Sequence, residues 1–129
     1  EDPFEENDFE SFAELRKTLK GKAIIFGDDL TVSNVGRMEL ARENKSISGL
    51  ILKPNQIGTV TETLAAAKLA KDFGWKIMVS NRAGETEDDF IADLAVGIGA
   101  DFIKSGALNP AERMAKYNRL AAIEKELRK

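Results

Sequence analysis

Five positions along this chain carry side chains suited to proton transfer or ion binding, and four of them close a short apolar run. Glu1 opens the sequence. AIIFG at 23–27 leads into Asp28 and Asp29, GLIL at 49–52 into Lys53, KIMVS at 76–80 into Asn81 and Arg82, and DFI at 101–103 into Lys104. Apolar runs of this length between helical patterns read as buried parallel strands. In a strand–helix barrel the groups at the carboxyl ends of the strands converge on one mouth, where ligands bind. Carboxylates and lysines arriving there together suggest a site for a metal and an anionic substrate.

Each residue also has a plainer reading. Alternation points only one of Asp28 and Asp29 inward. An inward aspartate suits magnesium, which prefers carboxylate oxygens and keeps several waters; otherwise the pair caps the next helix. Lys53 follows four buried positions, and desolvation or a nearby cation would fit its amine to act as a base; otherwise it is a strand-end lysine reaching for solvent. Lys104 is similar on a weaker strand, and is equally a surface charge near the Ser105–Gly106 turn. Arg82 lies in SNRAGETED, where Gly84 allows close backbone approach and the guanidinium offers a fork for phosphate. Glu85, Glu87, Asp88 and Asp89 oppose an anion there, and an ordinary polar loop is the alternative.

The elements that must position these groups follow from periodicity and punctuation. Residues 6–20 read as a helix capped by Asn7 or Asp8 and ended by Gly21, followed by a strand at 23–27. Ser33 or Asn34 caps a helix over about 34–44, weakened by Gly36. A strand at 48–53 is closed by Pro54. Thr59 caps a helix that Gly74 terminates, and a strand at 75–80 comes next. Thr86 is read as the N-cap of a helix across Phe90, Ile91, Leu94 and Ala95. A short strand at 101–104 precedes a last helix, with Asn109 as cap and Pro110 at its first position, running to about Leu127. Strict alternation in repeats of about 25 residues implies parallel strands with right-handed crossovers. A complete eight-fold barrel needs roughly 250 residues. The expected fold is therefore α/β, a partial (β/α)8 TIM barrel of four strand–helix units, with residues 1–129 forming one half-barrel domain. A small open sheet is the alternative.

The 129 residues suffice for one domain, and 43% hydrophobic with 32% charged content is neither disordered nor membranous. The net charge of −3, with 19 basic and 22 acidic residues spread along the chain, makes no electrostatic case for nucleic acid or a lipid surface. Cysteine and histidine are both absent. That excludes disulfides, thiolate nucleophiles, a histidine triad and His-ligated zinc or iron. The lack of cysteine fits a reducing cytoplasm. No apolar stretch approaches the roughly 20 residues of a membrane span, and no signal peptide is visible. A first residue other than Met leads us to expect a trimmed chain.

The motifs EDPF at 1–4, GDDLTVSN at 27–34, LILKPNQIGTVTET at 50–63, RAGETEDDFIADLAVG at 82–97, IKSGA at 103–107 and ERMAKYNRLAAIEKEL at 112–127 occur in a familiar order and spacing. In them the sequence resembles enolase, the glycolytic phosphopyruvate hydratase, as an archaeal-like or divergent member. The resemblance spans nearly the whole chain, and only the carboxyl-terminal half of that family's barrel domain. It implies dehydration of 2-phosphoglycerate to phosphoenolpyruvate with Mg2+, a base and a metal-stabilised ene-diolate being the established logic of enolase-superfamily sites. By resemblance Glu1 and Asp28 match two of three carboxylates on the primary magnesium. Lys53 matches the base for the C2 proton, Lys104 the lysine on the substrate carboxylate, and Arg82 the arginine on the phosphate.

Departures accompany the match. Where the family carries Ser-His-Arg-Ser-Gly-Glu, this chain has Ser80, Asn81, Arg82, Ala83, Gly84 and Glu85. Asn81 replaces an active-site histidine and Ala83 a phosphate-contacting serine; Pro54 replaces the valine that often follows the base. The third magnesium ligand and the glutamates of acid catalysis have no counterpart in these residues. Three functions follow as expectations: the carboxyl-terminal part of an enolase, inactive alone; a non-catalytic enolase-like assembly or binding module; or a relative acting on another carboxylate substrate. A half-barrel exposes sheet edges and an inner face, for which Ile25, Leu52, Val79 and Ile103 are the apolar candidates, with alternation sending some of them outward to the helices. The expected partners are the anionic substrate and either further copies of the chain or a complementing amino-terminal half.

Overall fold

In the computed structural model, which describes residues 1–128, the four apolar runs form one parallel sheet: β1 (Phe26–Gly27), β2 (Gly49–Leu52), β3 (Lys76–Ser80) and β4 (Phe102–Lys104). The spatial order β1-β2-β3-β4 is the sequence order. A sheet that advances steadily, with no reversal of strand order, is the barrel progression rather than the doubly wound one. The helices are α1 (Phe9–Leu19), α2 (Val35–Glu43), the one-turn α3 (Pro54–Ile57), α4 (Val60–Asp72), α5 (Phe90–Gly97) and α6 (Ala111–Leu127). No described helix is long and apolar enough to cross a membrane.

Local chemistry explains the boundaries and four corrections to the expected ones. Asp8, not Asn7, caps α1, accepting the Ser11 N–H at 3.0 Å. That bond holds the Asp8 carboxyl below the usual carboxylate range. Asn34 caps α2 and Thr59 caps α4. The strand expected at 23–27 is a ladder at Phe26–Gly27 only. Before it, Ile25 N–H donates to the Ser48 hydroxyl, and the Ile25 carbonyl accepts from both Ser48 and Gly49, which breaks the regular ladder. Pro54 closes β2 as expected but also starts α3, where its missing N–H costs nothing. Thr86 is not the cap of α5; Asp89 occupies that position, while Thr86 Oγ1 accepts from Asp88 and Asp88 Oδ1 from Phe90. A run of short polar side chains bonding its own backbone keeps residues 86–89 out of the helix. Pro110, in extended conformation, takes the cap position of α6 in place of Asn109.

The two faces of the sheet differ. Leu50, Leu52, Ile77 and Val79 point into one core with Met38 and Ala41 of α2, Ala66, Ala67 and Ala70 of α4, and Leu94 and Ala95 of α5. Fully burying a Leu, Ile or Val contributes roughly 1.5–3 kcal/mol, and the alanines let α4 lie close to the sheet. Ile25, Leu52 and Val79 belong to this helix-side core and Ile103 packs against it. Those four are therefore not the inner-face residues expected from sequence; alternation sends all of them toward the helices. The concave face instead carries Phe26, Gly49, Ile51, Met78 and Phe102. The rings of Phe26 and Phe102, from the two edge strands, meet edge to face at 5.8 Å. Gly49 makes room for this, because a Cβ there would sit 2.5 Å from the Phe26 ring. Curvature and the aromatic pair leave Ile51 fully buried, with Phe102 still 43% exposed.

Candidate active site

The carboxyl ends of all four strands open on one cleft of about 610 Å3, lined among others by Asp28, Lys53, Asn81, Arg82, Ala83 and Lys104. A larger hollow of about 810 Å3 lies at the far ends of α1 and α2 and has none of these residues. The cleft's first wall is built by residues 27–34. Asp28 turns inward and is buried, whereas Asp29 is exposed at the rim. Both backbone N–H groups are held by the Asp2 carboxylate, Asp28 N at 3.0 Å and Asp29 N at 2.6 Å. Asp2 N in turn donates to Phe26 O, so EDPF runs alongside β1. Val32 and Ser33 then adopt left-handed backbone, φ 43° and 55°, which costs a β-branched residue such as valine energy that its surroundings must supply. The strain has a structural return: buried Ser33 places its hydroxyl to accept Lys53 N–H at 2.9 Å, fixing the end of β2.

Lys53, 8% exposed, donates from Nζ to Asp28 Oδ2 at 2.5 Å. The pair is as buried on one side as on the other, with each side chain 10% exposed. The second carboxylate oxygen, Asp28 Oδ1, is buried with no hydrogen-bond partner among the described residues. A bare buried carboxylate oxygen is costly unless a further donor or a cation occupies it, and its chemistry is that of a magnesium ligand. Asp28 thus fits a divalent cation. Glu1 fits less directly, since both its oxygens accept from Lys104 Nζ at 2.5 Å. That pair is more open, at 40% and 38% exposure. Among the described residues no three acidic side chains gather into a metal cluster.

The opposite wall is the loop after β3. Asn81 Nδ2 donates to the carbonyl and the hydroxyl of Ser105 at 3.4 Å each, joining this loop to the one after β4. Arg82 and Ala83 are exposed at the cleft. Every expected site residue except Glu1 lines the cleft directly, and Glu1 is tied to it through Lys104. Sequence reasoning missed Arg113, which lines the cleft and donates to the Arg82 and Ala83 carbonyls. It also missed Asp2, whose signal was its place in EDPF beside Glu1. Chemically, the cleft pairs a base candidate with a carboxylate of spare coordinating capacity, and sets both opposite Arg82 and Lys104.

A model of the "Enolase, C-terminal TIM barrel domain" matches residues 1–129. The chain is 53% identical to Enolase B of Dictyostelium discoideum over its whole length, covering 29% of that protein. It is 56% identical to an enolase of Metallosphaera sedula across 98% of the chain, covering 30% of it. Enolase 2 of Hevea brasiliensis is 51% identical across 98% of the chain and 28% of its own length. The chain thus spans about three-tenths of the length of these relatives, archaeal-type ones among them. With its parallel sheet and the ordered mouth of strand-end residues, it belongs to the enolase family, as part of that family's carboxyl-terminal barrel domain.

Proposed function

We propose that residues 1–129 act as one half-barrel unit supplying the carboxyl-terminal share of an enolase site, for dehydration of 2-phosphoglycerate to phosphoenolpyruvate. The observation that carries this reading is the gathering of Asp28, Lys53, Arg82 and Lys104 at one cleft, with Asp28 Oδ1 bare. Lys53 Nζ takes the proton from C2. Lys104 engages the substrate carboxylate, and Arg82, flanked by Asn81 and Ala83, takes the phosphate. Asp28 and, once released from Lys104, Glu1 hold Mg2+, which when bound supplies positive charge for the developing ene-diolate. Asp28 plays a second part: it accepts from Lys53 Nζ and orients that nitrogen, which takes the C2 proton only as the neutral amine. We place this chemistry in the cytoplasm.

Two carboxylates make a weak magnesium site, so the isolated chain should release no phosphoenolpyruvate above a blank. Joined to the amino-terminal portion of the Metallosphaera sedula relative, it should turn over 2-phosphoglycerate with magnesium, and Lys53→Ala should abolish that turnover. A folded, magnesium-binding chimaera that is inert toward 2-phosphoglycerate contradicts the proposal. One feature favours a second reading, that of a different carboxylate substrate. The altered positions, Asn81 and Ala83, both lie at the phosphate end. Turnover of a carboxylate without phosphate would select it. The sheet edges and the exposed Phe102 further lead us to expect a homodimer, or association with a complementing half. Light scattering that finds a stable monomer at tens of micromolar would remove the first.

A further inference from the structure

Loop 81–89 carries Arg82 into the cleft without a helix or strand of its own, and most of it is exposed. Beyond the Asn81–Ser105 contact at its start, its fixed points lie on α6. Lys116 is 1% exposed, and its Nζ donates to the Thr86 carbonyl at 2.5 Å and to the Glu112 carbonyl, one turn back on α6, at 2.8 Å. Glu85 Oε1 is 3.5 Å from the same nitrogen. Arg113, one turn earlier, donates to the Arg82 carbonyl at 3.3 Å and the Ala83 carbonyl at 2.9 Å. Tyr117 donates to the Gly106 carbonyl at 2.6 Å, holding the neighbouring loop. Lysine is almost never fully buried unless paired, because its ammonium gives up strong hydration. Here the lost hydration is offset by two carbonyls and one carboxylate, two of the three supplied by the loop.

We propose that Lys116 is a positioning residue for the anion loop: it sets the conformation of residues 81–89 and thereby the place of Arg82 in the cleft. This rests on the reading that Arg82 takes the anionic end of the ligand. Lys116 does not touch the ligand; it acts through the Thr86 and Glu85 anchors, with Arg113 securing the first part of the loop.

The test is amide exchange and the Arg82 Nε–H resonance, measured by NMR on the full 129-residue chain, with Lys116→Met and Glu85→Gln. Lys116→Met should raise exchange across 82–89 by about tenfold or more, as expected when a local opening is freed. It should leave β2 and β3 amides unchanged and shift the Arg82 signal. Glu85→Gln, which removes only the carboxylate anchor, should do the same to a smaller degree and carries the test if Lys116→Met does not fold. An unchanged loop and Arg82 signal in a folded variant, or exchange that rises alike in loop and sheet, overturns the proposal. Inorganic phosphate is then titrated. The unaltered chain should show a saturable Arg82 shift that Lys116→Met weakens about tenfold, roughly 1.4 kcal/mol. If the unaltered chain ignores phosphate, the anion reading of Arg82 falls, while the exchange data still decide whether Lys116 governs the loop.

Discussion

Two ion pairs of the same length sit at the mouth of the sheet, and they are not equivalent. Lys53–Asp28 and Lys104–Glu1 both close at 2.5 Å. The first is 10% exposed on each side and is held by Ser33 and Asp2 behind it. The second is about four times more exposed and bridges the chain's first residue to an edge strand. Coulomb attraction at equal distance is far stronger where water is excluded, yet burial also removes hydration from both charges. A buried pair adds little net stability while making the loss of one partner expensive. An exposed pair is worth about 0–1 kcal/mol and weakens with salt. Burial, not bond length, therefore separates the rigid wall of the cleft from the adaptable one. The rigid pair holds the proposed base and the buried metal carboxylate; the adaptable one holds Lys104, proposed to grip the substrate carboxylate, and Glu1, the second metal carboxylate.

The largest effect should come from breaking the rigid wall. Lys53→Met strands Asp28 as a buried, unpaired carboxylate, and should destabilise the chain by about 3–5 kcal/mol at neutral pH. Chemical denaturation measures this, and a loss below that of an exposed pair would mean that Asp28 is wetter than the geometry indicates.

Next comes the adaptable wall, tested in the chimaera. Asn81→His with Ala83→Ser restores the family's loop and should raise kcat/KM for 2-phosphoglycerate. Hydrogen bonds to a charged group are typically worth about 1.5–3 kcal/mol each. No gain from the double change favours the altered-substrate reading.

The contrast was only half legible beforehand. Alternation and the ends of the apolar runs locate Asp28, Lys53 and Lys104 at one mouth, because those signals are local. Which lysine meets which carboxylate was not readable, since the pairings join residues 25 and 103 positions apart and depend on sheet curvature. The Thr86 cap misled partly through the local bonds of residues 86–90 and partly through a distant one. Its carbonyl is claimed by Lys116, thirty residues on, which looks in sequence like any other helix charge. Which of Ile25, Leu52, Val79 and Ile103 face inward was left open by alternation alone; all four lie on the helix side, and Phe26 and Phe102 close over Ile51 on the other.

Smaller effects sharpen the comparison. Glu1→Gln should cost about 1 kcal/mol or less, and that cost should vanish in high salt, unlike the cost at Lys53. A salt-independent loss would place Glu1 with the rigid wall. The smallest effect is at Asp101, whose carboxyl is held below its ordinary value of 3.8 first by Lys76 and then by Ile77 N–H. A lowered folded value means this contribution is present above pH 3.8 and is lost as pH falls through the folded value. Asp101→Asn should therefore reduce the acid sensitivity of unfolding below that pH, with little change in the pH dependence near neutrality. An acid limb identical to the unaltered chain's would contradict it.

The central claim, that Asp28 offers a free oxygen for a divalent cation beside the proposed base, is tested most directly with Mn2+. Paramagnetic broadening detects weak binding on the chain as it stands. The account predicts saturable broadening centred on Asp28, Lys53 and the Asp2 contact, displaced by Mg2+ and abolished by Asp28→Asn. Broadening that centres on the acidic run Glu85–Asp89, or that persists unchanged in Asp28→Asn, would contradict it.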